Sequence, residues 1–393
     1  MANVLIVGRR SRCYRAALKM GHKVFLWSDG PLHESRKEKL AGCIETPFSH
    51  CEKNILTSDV KAISKFKIEF VIAATESSVD IAARVREAFK LSGTPLTITS
   101  ILHNKNAMKI EALKHDIPIT KFHLINEKDT PEALVERLGL PLVVKPVAES
   151  GARGVMVLKS LEDVSKHSKP GLLAEAFVKG CEVSVETLIH NGIPIFHNIT
   201  DYLHQWKKSI LPATLVQDLT QEIIKINDRV IEGFGVVNGM THSEFYLTKE
   251  GPVFGEMAVR PPGGYYMELI ESAYGFNPWE IFVQLETGTT PAPLPTKANK
   301  YACVLMIHPG AGIVEEIYGL EKCKALTEIE QFKFKIQPGF EVPEHSSTSS
   351  EIGHIIMAGD SREILLDKLK FVEDNLIVKK KIASIINYMI ITS

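Results

Sequence analysis

The sequence predicts an α/β protein of two or three domains, opening with a doubly wound parallel sheet. Near the N-terminus, strand-like apolar runs alternate with helical stretches, which implies parallel strands joined by crossover helices. Two alternating runs on either side of residue 250 read as an antiparallel hairpin. The segment Pro291-Ala292-Pro293-Leu294-Pro295 reads as a linker into a further domain. At 393 residues the chain is too long for one ordinary core, which agrees with that division.

Taken in order, Val4-Leu5-Ile6-Val7-Gly8 is a buried strand, a helix runs to Met20, and Lys23-Val24-Phe25-Leu26-Trp27 is a second strand. Phe70-Val71-Ile72-Ala73-Ala74 is another, followed by a helix from Ser78 to Leu91. Gly8-Arg9-Arg10-Ser11-Arg12 lacks the G-x-G-x-x-G spacing that brings a pyrophosphate onto a helix N-terminus, so a dinucleotide site is rejected. Glu76 lies just past a strand's C-terminal end, where open sheets bind ligands, although a capping or solvated role fits equally. A helix starting around Asn104 puts Lys105 in its first turn, where the dipole disfavours a cation unless an anion sits there.

Lys145 interrupts the apolar strand Leu140-Pro141-Leu142-Val143-Val144-Lys145-Pro146-Val147, and burying an ammonium is costly unless an anion meets it. The loop Glu149-Ser150-Gly151-Ala152-Arg153-Gly154 follows, and then the strand Val155–Leu158. Such a small-residue loop can fold its backbone N–H groups over phosphates, or be an ordinary hairpin loop; it is no Walker loop. Leu172 to Val178 is a strand running into a Lys179-Gly180 hinge. Beyond it Glu182, Ser184 and Glu186 share a strand face, and Asn191-Gly192 marks a tight turn.

The hairpin carries the most chemistry. A three-residue loop ending in Gly251 would pair Thr248 with Pro252, Tyr246 with Phe254, and Glu244 with Glu256. Two carboxylates would then oppose each other at roughly 4.5–5.5 Å between Cβ atoms, a destabilising arrangement unless compensated. Mg²⁺ held by both acids and by substrate phosphates would compensate; so would water, were both exposed. Arg260, on the Glu256 face, favours a phosphorylated ligand. Gly263-Gly264 permits close backbone approach to that ligand.

A final domain opens with a strand over Tyr301–Ile307, the turn at His308-Pro309-Gly310, an alternating run Phe332–Ile336 and a helix near Glu363–Asn375. The C-terminal KKKIASIINYMIITS reads as a last helix packing on the body or another subunit, with a surface anchor as the alternative. Formal net charge of −1 gives no general pull toward nucleic acid or anionic membrane. The six cysteines show no C-x-x-C spacing and read as reduced core residues of a cytoplasmic protein. No stretch reaches the ~20 apolar residues of a membrane helix, and no Ser-His-Asp or Cys-His nucleophile arrangement emerges.

Together, the helix-start lysine, L-P-L-V-V-K-P, the glycine loop, E-A-F-V-K-G-C-E-V-S-V-E and H-S-E…G-E-M-A-V-R-P-P-G-G resemble the ATP-grasp superfamily. They look most like its carboxylate–amine ligases, the group of biotin carboxylase and the L-amino-acid ligases. The resemblance implies a pre-ATP-grasp domain over about 1–100, a two-lobed α+β grasp over about 101–295 with its lid lobe near 115–180, and a smaller C-terminal α+β domain over about 296–393. It implies that Lys105 and Lys145 hold ATP phosphates under the loop Ser150, Gly151, Arg153, Gly154 and Val155. Adenine would lie against Glu175, Ala176, Phe177 and Val178, with ribose on Glu182. Glu244 and Glu256 would hold one or two Mg²⁺ ions, or Mn²⁺, while Arg260 and Lys145 act on the transferring group. Ala258 stands where many relatives carry a third metal-site residue, Asn, and puts the second ion in doubt. Glu76, His242, Gly263, Gly264, Tyr265, Glu268 and His308 are candidates for the substrate pocket.

The implied activity is an ADP-forming ligase joining a small carboxylate to an amine, with a homodimer as the implied assembly. A carboxylase-type or purine-pathway enzyme and a catalytically weak ATP-binding regulator are the rival readings.

Overall fold

A computed structural model of the chain describes residues 1–51, 54–149, 151, 153–204, 207–214, 217–344 and 351–381. At the N-terminus, strands Asn3–Val7, Lys23–Trp27, Gly42–Ile44 and Phe70–Ala73 form a parallel sheet in the order third, second, first, fourth. Side chains alternate across a strand, and here both faces are covered, which is why these strands read as continuous apolar runs. Leu5, Val7, Phe25, Trp27 and Val71 pack with Ile63, Ala82 and Val85 on one side. Val4, Ile6, Val24, Leu26 and Ile72 join a core on the other side that includes Met267, Ile270 and Phe282. The sheet is thus cemented to the body, and Arg12–Glu268 at 3.0 Å and Arg86–Glu286 at 3.4 Å cross the same seam.

A second, antiparallel sheet contains Phe122–Leu124, Leu172–Ala176, Leu142–Pro146 and Met156–Leu158 in that spatial order. Helices Pro131–Leu138 and Leu161–His167 cover it. Both helices begin at expected caps: Thr130 accepts from Ala133 N–H, and Ser160 forms a capping box with Asp163.

The largest sheet has eight strands, from Gly251–Ala258 at one edge through Gly239–Thr248, Cys181–His190, Ile193–His204, Lys208–Leu211, Tyr301–Ile307 and Gly353–Gly359 to Ile329–Phe334. It runs across the expected boundary at the Pro-rich segment, because Lys208–Leu211 pairs with Ala302–Leu305. Helix Arg362–Asn375 packs against the distal end of this sheet.

Three expectations need correction. The hairpin closes with two residues, Thr248 pairing Gly251, so Phe254 meets Phe245 in the core instead of joining the acid face beside Tyr246. A bulge at Gly255 then shifts the register back, and Glu244 still opposes Glu256. A Cβ on Gly255 would come within 3.0 Å of the Tyr246 ring, so the site suits glycine. Second, the basic start of the C-terminal tail is strand: Ile377–Lys381 pairs with Gly312–Tyr318, with Lys379 on Glu316 at 3.2 Å and Lys381 on Glu315 at 2.9 Å. Residues 382–393, where the last helix was expected, lie outside the described residues. Third, all six cysteines are free, but Cys181 is exposed at a strand start and is no core residue. No helix among the described residues is long and apolar enough to cross a membrane.

Candidate active site

The helix Lys105–Lys114 begins where Asn104 caps it, its side-chain oxygen accepting from Asn106 N–H at 3.1 Å and Ala107 N–H at 3.0 Å. Positions four apart share a helical face, so Lys105 and Lys109 point together toward the sheets. Lys105 Nζ lies 2.5 Å from Glu256 Oε2. Lys109 Nζ lies 3.3 Å and Lys145 Nζ 2.9 Å from the same oxygen of Glu175. Burial alone would push the Glu175 carboxyl up, but Lys109 and Lys145 outweigh it and hold it below its ordinary value. Burial pulls the Lys109 ammonium down, and Glu175 only partly offsets this. Lys109 is 1% exposed and went unread in the sequence; its spacing of four from Lys105 was the available signal.

Glu175 was expected at an adenine hinge. Its carboxylate serves as counter-ion to two lysines, while the adjoining backbone is tied to neighbouring segments: Ala176 C=O accepts from Thr120 Oγ1 at 3.0 Å, and Phe177 N–H donates to Pro141 C=O at 3.3 Å. Phe177 is left 44% exposed, an open flat face before Val178. Glu182 lies on the neighbouring strand opposite Tyr246. In the glycine loop, Gly151 and Gly154 adopt φ of 63° and 71°, and a Cβ on Gly154 would come within 2.9 Å of the Pro146 ring. Arg153 pairs with Glu149 at 3.0 Å, Val155 is exposed, and Ser150 lies outside the described residues.

Glu244 and Glu256 stand directly opposed on the sheet face that Lys105 overhangs. Burial would raise the Glu256 carboxyl; Lys105 and Lys145 together hold it down. Tyr202 OH donates to Glu244 Oε1 at 3.4 Å. His242, expected at the substrate pocket, is turned onto the buried Glu186, with Nδ1 at 3.0 Å from Oε1 and Nε2 at 3.8 Å from Glu244. Glu186 also accepts from Ser184 at 2.6 Å and from Asn198 and Thr200 at 2.7 Å each. Burial opposes charge on the His242 imidazole, yet Glu186 and Glu244 push its pKa up to about 9. This buried polar network was invisible in the sequence because Asn198 and Thr200 come from a different strand. Among the described residues no three His, Cys, Asp or Glu side chains gather as a metal site. A pair of acids suits a hard cation that takes its remaining oxygens from phosphates and water.

Arg260 is held by Glu76, Nε to Oε2 at 2.5 Å, and its Nη1 donates to Pro261 C=O at 3.1 Å. His103, also unread in the sequence, bridges Glu76 at 3.1 Å and Asp80 at 3.0 Å. Burial works against an imidazolium there, but the two carboxylates prevail and push His103 up to about 10. Glu76 in turn is held far below the usual carboxylate range by Arg260 and His103, against the effect of burial.

Of the other substrate candidates, Glu268 pairs with Arg12, and Tyr265 OH donates to Glu351 at 2.8 Å while its ring stacks 3.7 Å from His354. Gly263 has open space where a Cβ would project, and Gly264 takes φ of 59°. His308 Nδ1 accepts from Gly310 N–H at 3.2 Å, closing its own turn.

An ATP-grasp domain profile matches residues 111–268, and an L-amino acid ligase C-terminal domain 2 profile matches residues 304–379. The chain carries an ATP-grasp domain followed by an L-amino acid ligase C-terminal domain. The sequence is 24% identical over 306 residues to the L-arginine-specific L-amino acid ligase of Bacillus subtilis, covering 73% of this chain and 74% of that protein. It is 27% identical over 202 residues to a D-alanine–D-alanine ligase of Neisseria meningitidis, covering 49% of this chain and 62% of the relative. The crystal structure of the L-amino acid ligase from Bacillus licheniformis superposes with a TM-score of 0.82 at 22% identity, over 96% of this chain and 98% of that one. The second, antiparallel sheet and the hairpin edge of the large sheet both fall within the matched residues 111–268. ATP-grasp enzymes bind ATP with Mg²⁺, and the lysine cluster beside an opposed acid pair fits both groups.

Proposed function

We propose that this ATP-dependent carboxylate–amine ligase activates the carboxylate of an amino acid or similar small acid as an acyl phosphate and joins it to an amine. In the first step a carboxylate oxygen bonds to the γ-phosphorus of ATP as the bond to ADP breaks. In the second the amine nitrogen bonds to the acyl carbon, the carbon–oxygen bond to phosphate breaks, and the amine gives up a proton. The observation that carries this is the opposed pair Glu244 and Glu256, with Lys105 on Glu256, beside the Lys145–Glu175–Lys109 cluster.

Lys105, Lys145 and Lys109 neutralise the triphosphate, and the loop Gly151, Arg153, Gly154 and Val155 lies over it. Glu175 to Val178 supply the adenine hinge, and Glu182 takes the ribose. Glu244 and Glu256 hold Mg²⁺, which supplies charge neutralisation at the β- and γ-phosphates when bound. Ala258 brings no oxygen, which favours one tightly held ion, with Mn²⁺ as a substitute. Arg260, oriented by Glu76, faces the transferring group and stabilises its charge. Catalysis here is positioning and electrostatics, with no covalent enzyme nucleophile.

The expected parts are a pre-ATP-grasp unit to about residue 100, the grasp to about 295, and a C-terminal unit beyond. A homodimer in the cytoplasm fits an ATP-consuming enzyme whose six cysteines are all free.

The test is ADP release measured against pairs of amino acids, bicarbonate with biotin, and glycinamide ribotide. Release only with acid–amine pairs supports the reading; release only with bicarbonate or the ribotide moves it to a carboxylase or purine-pathway enzyme. Ala258 favours one other reading, a weak ATP-binding regulator, which ATP binding without ADP release across the whole panel would support.

A further inference from the structure

Lys109 follows Lys105 by one helical turn, yet the two lysines meet different acids: Lys105 reaches Glu256, and Lys109 reaches Glu175. Glu175 sits in an interior strand, with Phe122 beside it on one neighbour and Val143 on the other. Its backbone is therefore fixed from both sides. Lys145 lies diagonally across from it on the adjoining strand and holds Oε1 at 2.9 Å. Lys109 comes to the same atom from the helix, at 3.3 Å. Among the described residues, Glu175 is the one acid within ion-pair distance of either lysine.

Two cations on one carboxylate are one more than neutrality needs, and these two are not equivalent. Lys109 is 1% exposed, so its ammonium is sealed off from solvent and from anything that arrives through it. The Lys145 side chain keeps 11% of its surface open and leads into the glycine loop, where Gly154 lies against the ring of Pro146. Burial weighs most against charge on Lys109, Glu175 offsets part of that, and Lys145 repels it. A carboxylate as buried as Glu175 is strongly destabilising once it has no cation beside it. Lys145 can leave it for a phosphate only if another cation stays behind. Lys109 is placed to be that cation.

We propose that Lys109 is a positioning residue that keeps Glu175 neutralised, so that Lys145 is free to turn from this carboxylate to a nucleotide phosphate. The inference rests on the ATP-binding part of the ligase reading and deepens it: Lys109 contributes to phosphate binding from behind Glu175, without touching the phosphate. Glu175 keeps one cation throughout, and the positive surplus of the cluster passes to the polyanion. An ammonium on a flexible four-carbon stem suits such an exchange of partners.

The experiment measures, by calorimetry on the full chain, binding of the non-hydrolysable analogue AMP-PNP with Mg²⁺ and of adenosine. Lys109→Met should weaken AMP-PNP by about ten- to a hundredfold, the scale of one hydrogen bond to a charged group, and leave adenosine within a few-fold. Adding Glu175→Gln to Lys109→Met should restore AMP-PNP to within a few-fold of wild type, because a neutral amide no longer retains Lys145. Lys109→Arg should keep wild-type affinity to the same margin. Lys145→Met should lose as much as Lys109→Met, with nothing regained on adding Glu175→Gln. A double variant as weak as Lys109→Met would show Lys109 meeting the phosphate itself. That result overturns the proposal and leaves the ligase reading intact, as does an unchanged affinity in Lys109→Met or an equal loss for adenosine. Should urea unfolding show Lys109→Met to be unfolded, the double variant decides alone: wild-type affinity upholds the proposal, and a loss of about tenfold or more overturns it. The rescue pattern without ADP release from any acid–amine pair upholds the role of Lys109 and sinks the ligase reading. No binding of AMP-PNP by wild type removes both.

Discussion

The two ends of the candidate site are built on different plans. At the end proposed to hold the phosphates, Lys105, Lys109, Lys145, Glu175 and Glu256 form a dense cluster in which each acid is shared by or paired with a lysine. At the end proposed for the transfer, Arg260, Glu76, His103 and Asp80 form a chain of alternating charge that links the hairpin to the N-terminal sheet. The first arrangement keeps a surplus of positive charge for a polyanion on rigid secondary structure. The second fixes the direction of a single guanidinium. On the proposed reading, charge density serves binding and orientation serves catalysis.

Several changes would break or sharpen this contrast. Arg260→Ala should lower kcat about a hundred- to a thousandfold, the scale of losing one preorganised donor to transition-state charge, with ATP affinity little changed. Glu244→Gln should abolish ADP release and raise the Mg²⁺ concentration needed for nucleotide binding. If both variants lowered only ATP affinity, measured by calorimetry, the two ends would not have separate roles.

Glu175→Gln leaves Lys109 and Lys145 buried against a neutral amide. It should cost about 3 kcal/mol in urea unfolding, as removing one partner of a buried pair does. A cost below ~1 kcal/mol would mean water already screens the cluster.

His103 adds a pH dependence at the transfer end. Its folded pKa of about 10 exceeds its unfolded value of ~6.5. The stability it contributes is therefore fully present below the unfolded value and lost as pH rises through about 10. The gap in unfolding free energy between wild type and His103→Gln should be about 2 kcal/mol near pH 6, discounted for partial exposure, and should close only as pH rises past about 10. A gap that does not change with pH would show the imidazole to be neutral. The smallest effect expected is from Gly154→Ala, where positive φ and the Pro146 ring oppose a side chain. It should cost about 1–2 kcal/mol and raise KM for ATP, leaving kcat alone.

Much of the phosphate end was legible because it is written in local patterns. Lys105 sits one residue after a capping Asn, and Lys145 interrupts an apolar strand. The acid pair follows from alternation plus a turn, although the opposition of Glu244 and Glu256 survives only because a tighter turn and a glycine bulge cancel in register. Lys109 was missed because a lysine on a helix is ordinary until a sheet is packed over it. The pairing of Glu186 with Asn198 and Thr200, and of His103 with Glu76 and Asp80, carried no sequence signal, since each group gathers from separate elements.

The chain by itself determined which residues face together along one strand or one helix turn, because periods of two and of about 3.6 are properties of the local backbone. Tertiary structure alone decided that Glu76, His103 and Arg260 meet, and that a single sheet spans the Pro-rich segment. Those meetings depend on how crossovers, a hairpin and distant strands pack against shared cores, and burial of apolar surface selects such packing without regard to distance along the sequence.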